Sequence, residues 1–120
     1  MIFYGESETT INIVDDGIQI RGMYGLSVDF SEVANISLVE DSMSSIGVGT
    51  RTNGFGGFGD TLKGNFQSRS HGAVLLYVRS TASPTIHIER GDSRDIFVSF
   101  RDDEQTRALY SEMMRAYQSS

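Results

Sequence analysis

Up to Asp41 the chain alternates apolar and polar residues in short runs. Thr10-Ile11-Asn12-Ile13-Val14 and Ile18-Gln19-Ile20-Arg21 predict two strands, with Asp16-Gly17 between them as a hairpin dipeptide whose glycine tolerates positive φ. Gly22-Met23-Tyr24-Gly25 closes the second run. Leu26-Ser27-Val28-Asp29-Phe30 gives a third, with Leu26, Val28 and Phe30 on one face, and Ile36-Ser37-Leu38-Val39-Glu40 a fourth. Farther along, Ala73-Val74-Leu75-Leu76-Tyr77-Val78-Arg79 is almost continuously apolar, as a central strand is. Ser83-Pro84 and Gly91-Asp92 then turn the chain on either side of Ile86-His87-Ile88-Glu89, and Ile96 to Phe100 completes the series. After that the period changes. From Asp102 to Gln118, Leu109, Met113, Ala116 and Tyr117 recur at helical spacing, with Asp102, Asp103 and Glu104 at the positive end of the helix dipole and Arg115 at the other. Ser99-Phe100-Arg101-Asp102 also has capping-box spacing, which leaves the helix start open by a few residues.

About seven antiparallel strands followed by one amphipathic helix define an α+β, mostly β, chain. The expected architecture is a small, strongly bent sheet or barrel whose open end the helix at 102–118 plugs. A length of 120 residues suits one domain over 1–120 and suffices for a core without staples. The absence of cysteine excludes disulfides, thiolate metal sites and thiol catalysis. Ten basic against sixteen acidic residues give a net charge of −6, which argues against nucleic acid as a partner.

The stretch from about 42 to 72 breaks the pattern. Seven of the thirteen glycines (Gly47, Gly49, Gly54, Gly56, Gly57, Gly59 and Gly64) lie within its eighteen residues 47–64. Gly54-Phe55-Gly56-Gly57-Phe58-Gly59 has the letters of a dinucleotide fingerprint, but such a site needs a strand before it and a helix after it. Asp60-Thr61-Leu62-Lys63-Gly64-Asn65 shows no helical stripe, and Asn65 stands where a Walker lysine would be. Two readings remain. The glycines shape backbone through bulges and close approaches, with Phe55, Phe58 and Phe66 packing on the body. Alternatively Arg51, Lys63 and Arg69, against Asp60 alone between 47 and 72, form a positive segment that receives an anion or an acidic partner.

Thr50-Arg51-Thr52-Asn53-Gly54-Phe55-Gly56-Gly57-Phe58-Gly59, followed by Gly64-Asn65-Phe66, an apolar strand and the Ile96-Phe97-Val98-Ser99 strand before the helix, resembles the bacterial pleckstrin-homology-like domains. The resemblance runs from about Thr9 to Tyr117. It implies a pleckstrin-homology-like barrel without known catalytic residues, in a family whose members often carry membrane helices beside this domain. No stretch here approaches the 18–20 apolar residues, roughly, of a membrane helix, and Met1 to Glu6 is no signal peptide. The expectation is a cytoplasmic protein if Met1 is the native start, and otherwise the soluble part of a membrane-anchored one.

Catalytic constellations are not apparent. His87 lies between two isoleucines on the opposite strand face, in a solvent-facing or hydrogen-bonded structural role, and His71 is a loop residue. No His/Asp ligand spacing is visible, so neither metal nor cofactor is expected. Asp15-Asp16 reads as turn chemistry, Asp102-Asp103-Glu104 as a helix start and Met113-Met114 as core. The function expected is therefore a non-catalytic interaction or scaffold module with a protein partner. Arg51, Asn53, Phe55, Phe58, Lys63 and Arg69 form its candidate surface. A homo-oligomerising domain is the alternative, and an anion or phosphate binder a further one. Membrane association is expected only through a segment outside this chain.

Overall fold

The computed structural model describes the backbone of all residues except 1–2, 7–8, 23–24, 48–49, 56–60, 69–70 and 92. Side chains are described for the same residues apart from 3–6, 9 and 50–55. Ten strands occur among them: β1 (Phe3–Glu6), β2 (Thr9–Val14), β3 (Gly17–Gly22), β4 (Leu26–Asp29), β5 (Val33–Val39), β6 (Thr50–Phe55), β7 (Thr61–Ser68), β8 (Gly72–Arg79), β9 (Thr85–Arg90) and β10 (Asp95–Val98). A 3₁₀ turn at Phe30–Glu32, a short helix α1 (Met43–Ile46) and a long one, α2 (Asp103–Gln118), complete the order. The chain is thus α+β and mostly β, as its periodicity predicts.

The barrel of seven antiparallel strands is not what forms. Strands β1-β2-β3-β4 make one open sheet in sequence order, and β5-β9-β10-β8-β7-β6 make a second. In the second sheet β10 inserts between β8 and β9 and runs parallel to β8. Sequential strands are usually neighbours, which is why alternation suggests a simple antiparallel series. The link through residues 80–84 instead carries the chain past the place that β10 later fills.

Asp15 and Asp16 form the turn between β2 and β3, while Gly17 is already the first residue of β3. Its need is room, not positive φ. A Cβ at Gly17 would fall on the Val28 carbonyl oxygen of β4.

The main core lies between the sheets. Ile11, Ile18, Ile20 and Val28 from the first meet Ile36, Leu75, Tyr77, Ile86, Ile88, Ile96 and Val98 from the second. Helix α2 adds Leu109 and Met113, both fully buried, with Tyr110, Met114, Ala116 and Tyr117 packed around them. Asp102, not Ser99, is the N-cap, accepting from the Glu104 N–H at 3.0 Å, and Asp103, Glu104 and Arg115 complement the dipole as expected. Buried Thr106 accepts from the Phe100 N–H at 3.0 Å, and the Tyr117 hydroxyl donates to the Val33 carbonyl at 3.1 Å. The first bond fixes the entry into α2 against the segment that follows β10, and the second ties its C-terminal turn to β5. Arg107 also donates to both carboxylate oxygens of Glu40 at 2.8 and 3.2 Å, lowering the Glu40 carboxyl and raising the guanidinium. This pair is exposed, so it contributes little to stability.

A second, smaller core lies on the other face of the six-stranded sheet. It comprises Met43, Phe66, Val74, Leu76, Val78 and Phe97, with Ile46 and Leu62 against them. The alternation of β8 therefore has two apolar faces, which is why that strand reads as continuously apolar.

Tyr77, only 3% exposed, belongs to the main core. Burial pushes its phenol up to about 12, against an opposing pull from the Arg90 charge. Because the folded state resists ionisation, this stabilisation is complete below about pH 10 and is lost as pH rises through about 12. The expected result is a fall of about 2–3 kcal/mol in unfolding free energy across that interval, at 1.36 kcal/mol per pKa unit. Urea titrations at several alkaline pH values check it. In Tyr77→Phe the same interval should show a correspondingly shallower decline.

Candidate functional site

Most of the described residues of the glycine-rich stretch lie in strands. Ser42 caps α1, its side chain accepting from the Ser45 N–H, and fully buried Met43 anchors that turn in the second core. Gly47 ends it with φ +118°, and the Ser68 hydroxyl donates to the Gly47 carbonyl at 3.0 Å. Strands β6 and β7 then pair antiparallel, with Gly54 opposite Gly64. Gly64 has φ +104°, so backbone shaping is established there and at Gly47. Gly49, Gly56, Gly57 and Gly59 lie outside the described residues. The next element after the Gly54–Gly59 run is strand β7 instead of a helix, so no helix N-terminus awaits a pyrophosphate.

The candidate surface residues separate along this hairpin. Arg51, Asn53 and Phe55 are all in β6, the terminal strand of the six-stranded sheet. Arg51 pairs with Phe66, Asn53 with Asn65 and Phe55 with Lys63, with a register shift that leaves Thr52 outside the ladder. Lys63 is in the next strand inward, opposite Tyr77, and only 6% exposed. It is an engaged, buried lysine and not a solvated one. Phe66, one of the phenylalanines expected to pack on the body, does so in the second core. Phe58 and Arg69 lie outside the described residues.

A different group of polar residues collects on the outer face of the six-stranded sheet. His87 is 7% exposed and takes the hydrogen-bonded role, its Nε2 lying 2.8 Å from Asp95 Oδ2. The imidazole stacks on Phe97 at a centroid distance of 4.4 Å and an interplanar angle of 11°. His71, the residue just before β8, contacts both rings edge-on at 5.1 and 5.2 Å. Glu89 succeeds His87 on the same face of β9, and one ligand atom from each of His87, Glu89 and Asp95 lies within 4.8 Å of the others. The sequence pattern predicts no ligand set, yet the fold brings three potential ligands together. Their only signal is His87-x-Glu89 on a strand face, completed by Asp95 across the next turn.

The remaining expectations are simpler to place. Asp102-Asp103-Glu104 is a helix start and fully buried Met113 is core, as read from the chain. A surface cleft of about 330 Å³ is lined by Ser31, Glu32, Val33, Ala34, Gly91 and Ser93, so that among the described lining residues Glu32 is the one titratable group. Among the described residues, no helix is long and apolar enough to cross a membrane. Comparison with family models, curated proteins and solved structures finds no match to this chain.

Proposed function

We propose that the chain is a non-catalytic interaction module whose partner-binding element is the edge strand β6. The observation that carries this reading is the placement of Arg51, Asn53 and Phe55 on one terminal strand of the larger sheet. A terminal strand offers unpaired N–H and C=O groups, and an extended peptide that adds to it gains main-chain hydrogen bonds with side-chain selectivity from alternate positions. The opposite edge, β5, is less suited, because α2 packs beside it and the Tyr117 hydroxyl engages the Val33 carbonyl. Strand β1 of the smaller sheet also has α2 packed against it.

The pleckstrin-homology-like kinship belongs to this reading. What supports it is the element order, a strand-rich chain closed by a C-terminal helix that packs on the main core. The parallel β8/β10 pair and the two open sheets are departures from the barrel that the kinship implies. Burial of Lys63 removes one cation from the phosphate-binding alternative.

Selection of a displayed random-peptide library against the wild type, with Thr52→Pro as a parallel target, tests the edge. Thr52 stands outside the β6/β7 register, so proline there spares the internal ladder while obstructing strand addition. Enriched peptides should bind Thr52→Pro at least about tenfold more weakly than wild type. Peptides that bind both proteins equally would contradict the reading. Enrichment of the chain's own β6 sequence would convert it to self-association through the same edge.

A further inference from the structure

The geometry points to a divalent transition-metal site formed by His87, Glu89 and Asp95 on the outer face of the six-stranded sheet. His87 and Glu89 are two residues apart on β9, so both side chains leave the same face. Ile96 pairs with Ile88, which sets Asp95 directly across from Glu89 on the antiparallel neighbour. Two carboxylates facing each other across strands repel. A divalent cation matches the charge of two carboxylates and takes a nitrogen donor from the imidazole beside them. In that state the imidazole carries its proton on Nδ1 and turns the Nε2 lone pair to the ion.

The dimensions suit such an ion. Ligand bonds of about 2.0–2.2 Å in tetrahedral geometry place donor atoms roughly 3.3–3.6 Å apart. Here the three atoms lie within 4.8 Å of one another, and the nearest pair, His87 Nε2 and Asp95 Oδ2, is at 2.8 Å. Coordination would open that pair by about half an ångström and bring the Glu89 carboxylate closer to it. The ring plane of His87 is already fixed by its stack on Phe97, and Asp95 Oδ1 accepts from the Arg90 N–H at 3.4 Å. Such supporting contacts are what orient ligands at metal sites. One nitrogen and two oxygens suit zinc or manganese over the softer ions that thiolates select. Three protein ligands leave a position for water or for a donor from a partner.

Calorimetric titration of the untagged, full chain with Zn²⁺, in parallel with the visible absorption of added Co²⁺, decides the matter. The wild type should take up one equivalent of zinc, and the cobalt spectrum should report low-symmetry coordination. Glu89→Gln and Asp95→Asn should each weaken zinc binding at least about tenfold, while Asp103→Asn at the helix start should not. Glu89 is half-buried, and its amide variant keeps shape, so Glu89→Gln decides even if Asp95→Asn unfolds. Absence of zinc uptake by the folded wild type, or unchanged affinity in Glu89→Gln, would overturn the assignment.

Discussion

Phe97→Ala should destabilise the protein by about 3–5 kcal/mol, the usual cost of removing a buried aromatic ring. Phe97 is fully buried on β10, a strand internal to the six-stranded sheet. Its ring belongs to the second core with Val74, Leu76 and Phe66, and it also carries the His87 imidazole at 4.4 Å. Truncation therefore opens a cavity where the sheet's outer face is most apolar and frees the histidine from its stack. Urea denaturation should show a lower midpoint with an unchanged slope. A loss below about 1 kcal/mol would mean that this face contributes little to stability and that the second core is not one. Phe97→Leu retains most of the volume and should cost clearly less.

Leu109→Ala should cost about 2–5 kcal/mol by the same measurement, through the other face of the sheet. Leu109 is fully buried where α2 meets the main core, four residues before Met113, so its removal leaves a void that a tethered helix closes poorly. The Thr106 and Tyr117 hydrogen bonds hold both ends of α2 in place and limit that relaxation. Phe97 and Leu109 belong to separate cores, so Phe97→Leu and Leu109→Ala should combine within about 0.5 kcal/mol of their sum. Strong coupling between them would indicate that the sheet transmits strain from one face to the other.

The contrast between these two positions shows what the chain makes legible. Leu109 and Met113 announce themselves through a helical period, and α2 begins within one residue of its predicted start because acidic residues and a cap coincide there. The strands β2, β3, β4, β5, β8, β9 and β10 arise likewise from alternation or apolar continuity. Strands β6 and β7 do not. Glycine has no side chain with which to signal a face, and Thr50 to Phe55 lacks an apolar alternation. Pairing order is equally silent, since periodicity tells which face a residue takes but not which strand lies beside it. The parallel β8/β10 pair thus came only from the fold. The approach of Asp95 to His87 and Glu89 follows instead from the register of the β9/β10 hairpin, which alternation alone does not state. Asn12 is the converse case. It is fully buried on β2, and neither side-chain polar atom has a hydrogen-bond partner among the described residues, although its sequence position reads as an ordinary polar alternate.

The claim that β6 receives a partner strand is tested most directly by amide hydrogen exchange, measured with and without a peptide enriched on the wild type. The account predicts that saturating peptide slows exchange in residues 50–55, with little change in β4 and β5. Protection gained at the surfaces of the smaller sheet or along α2, with residues 50–55 exchanging as before, would contradict it.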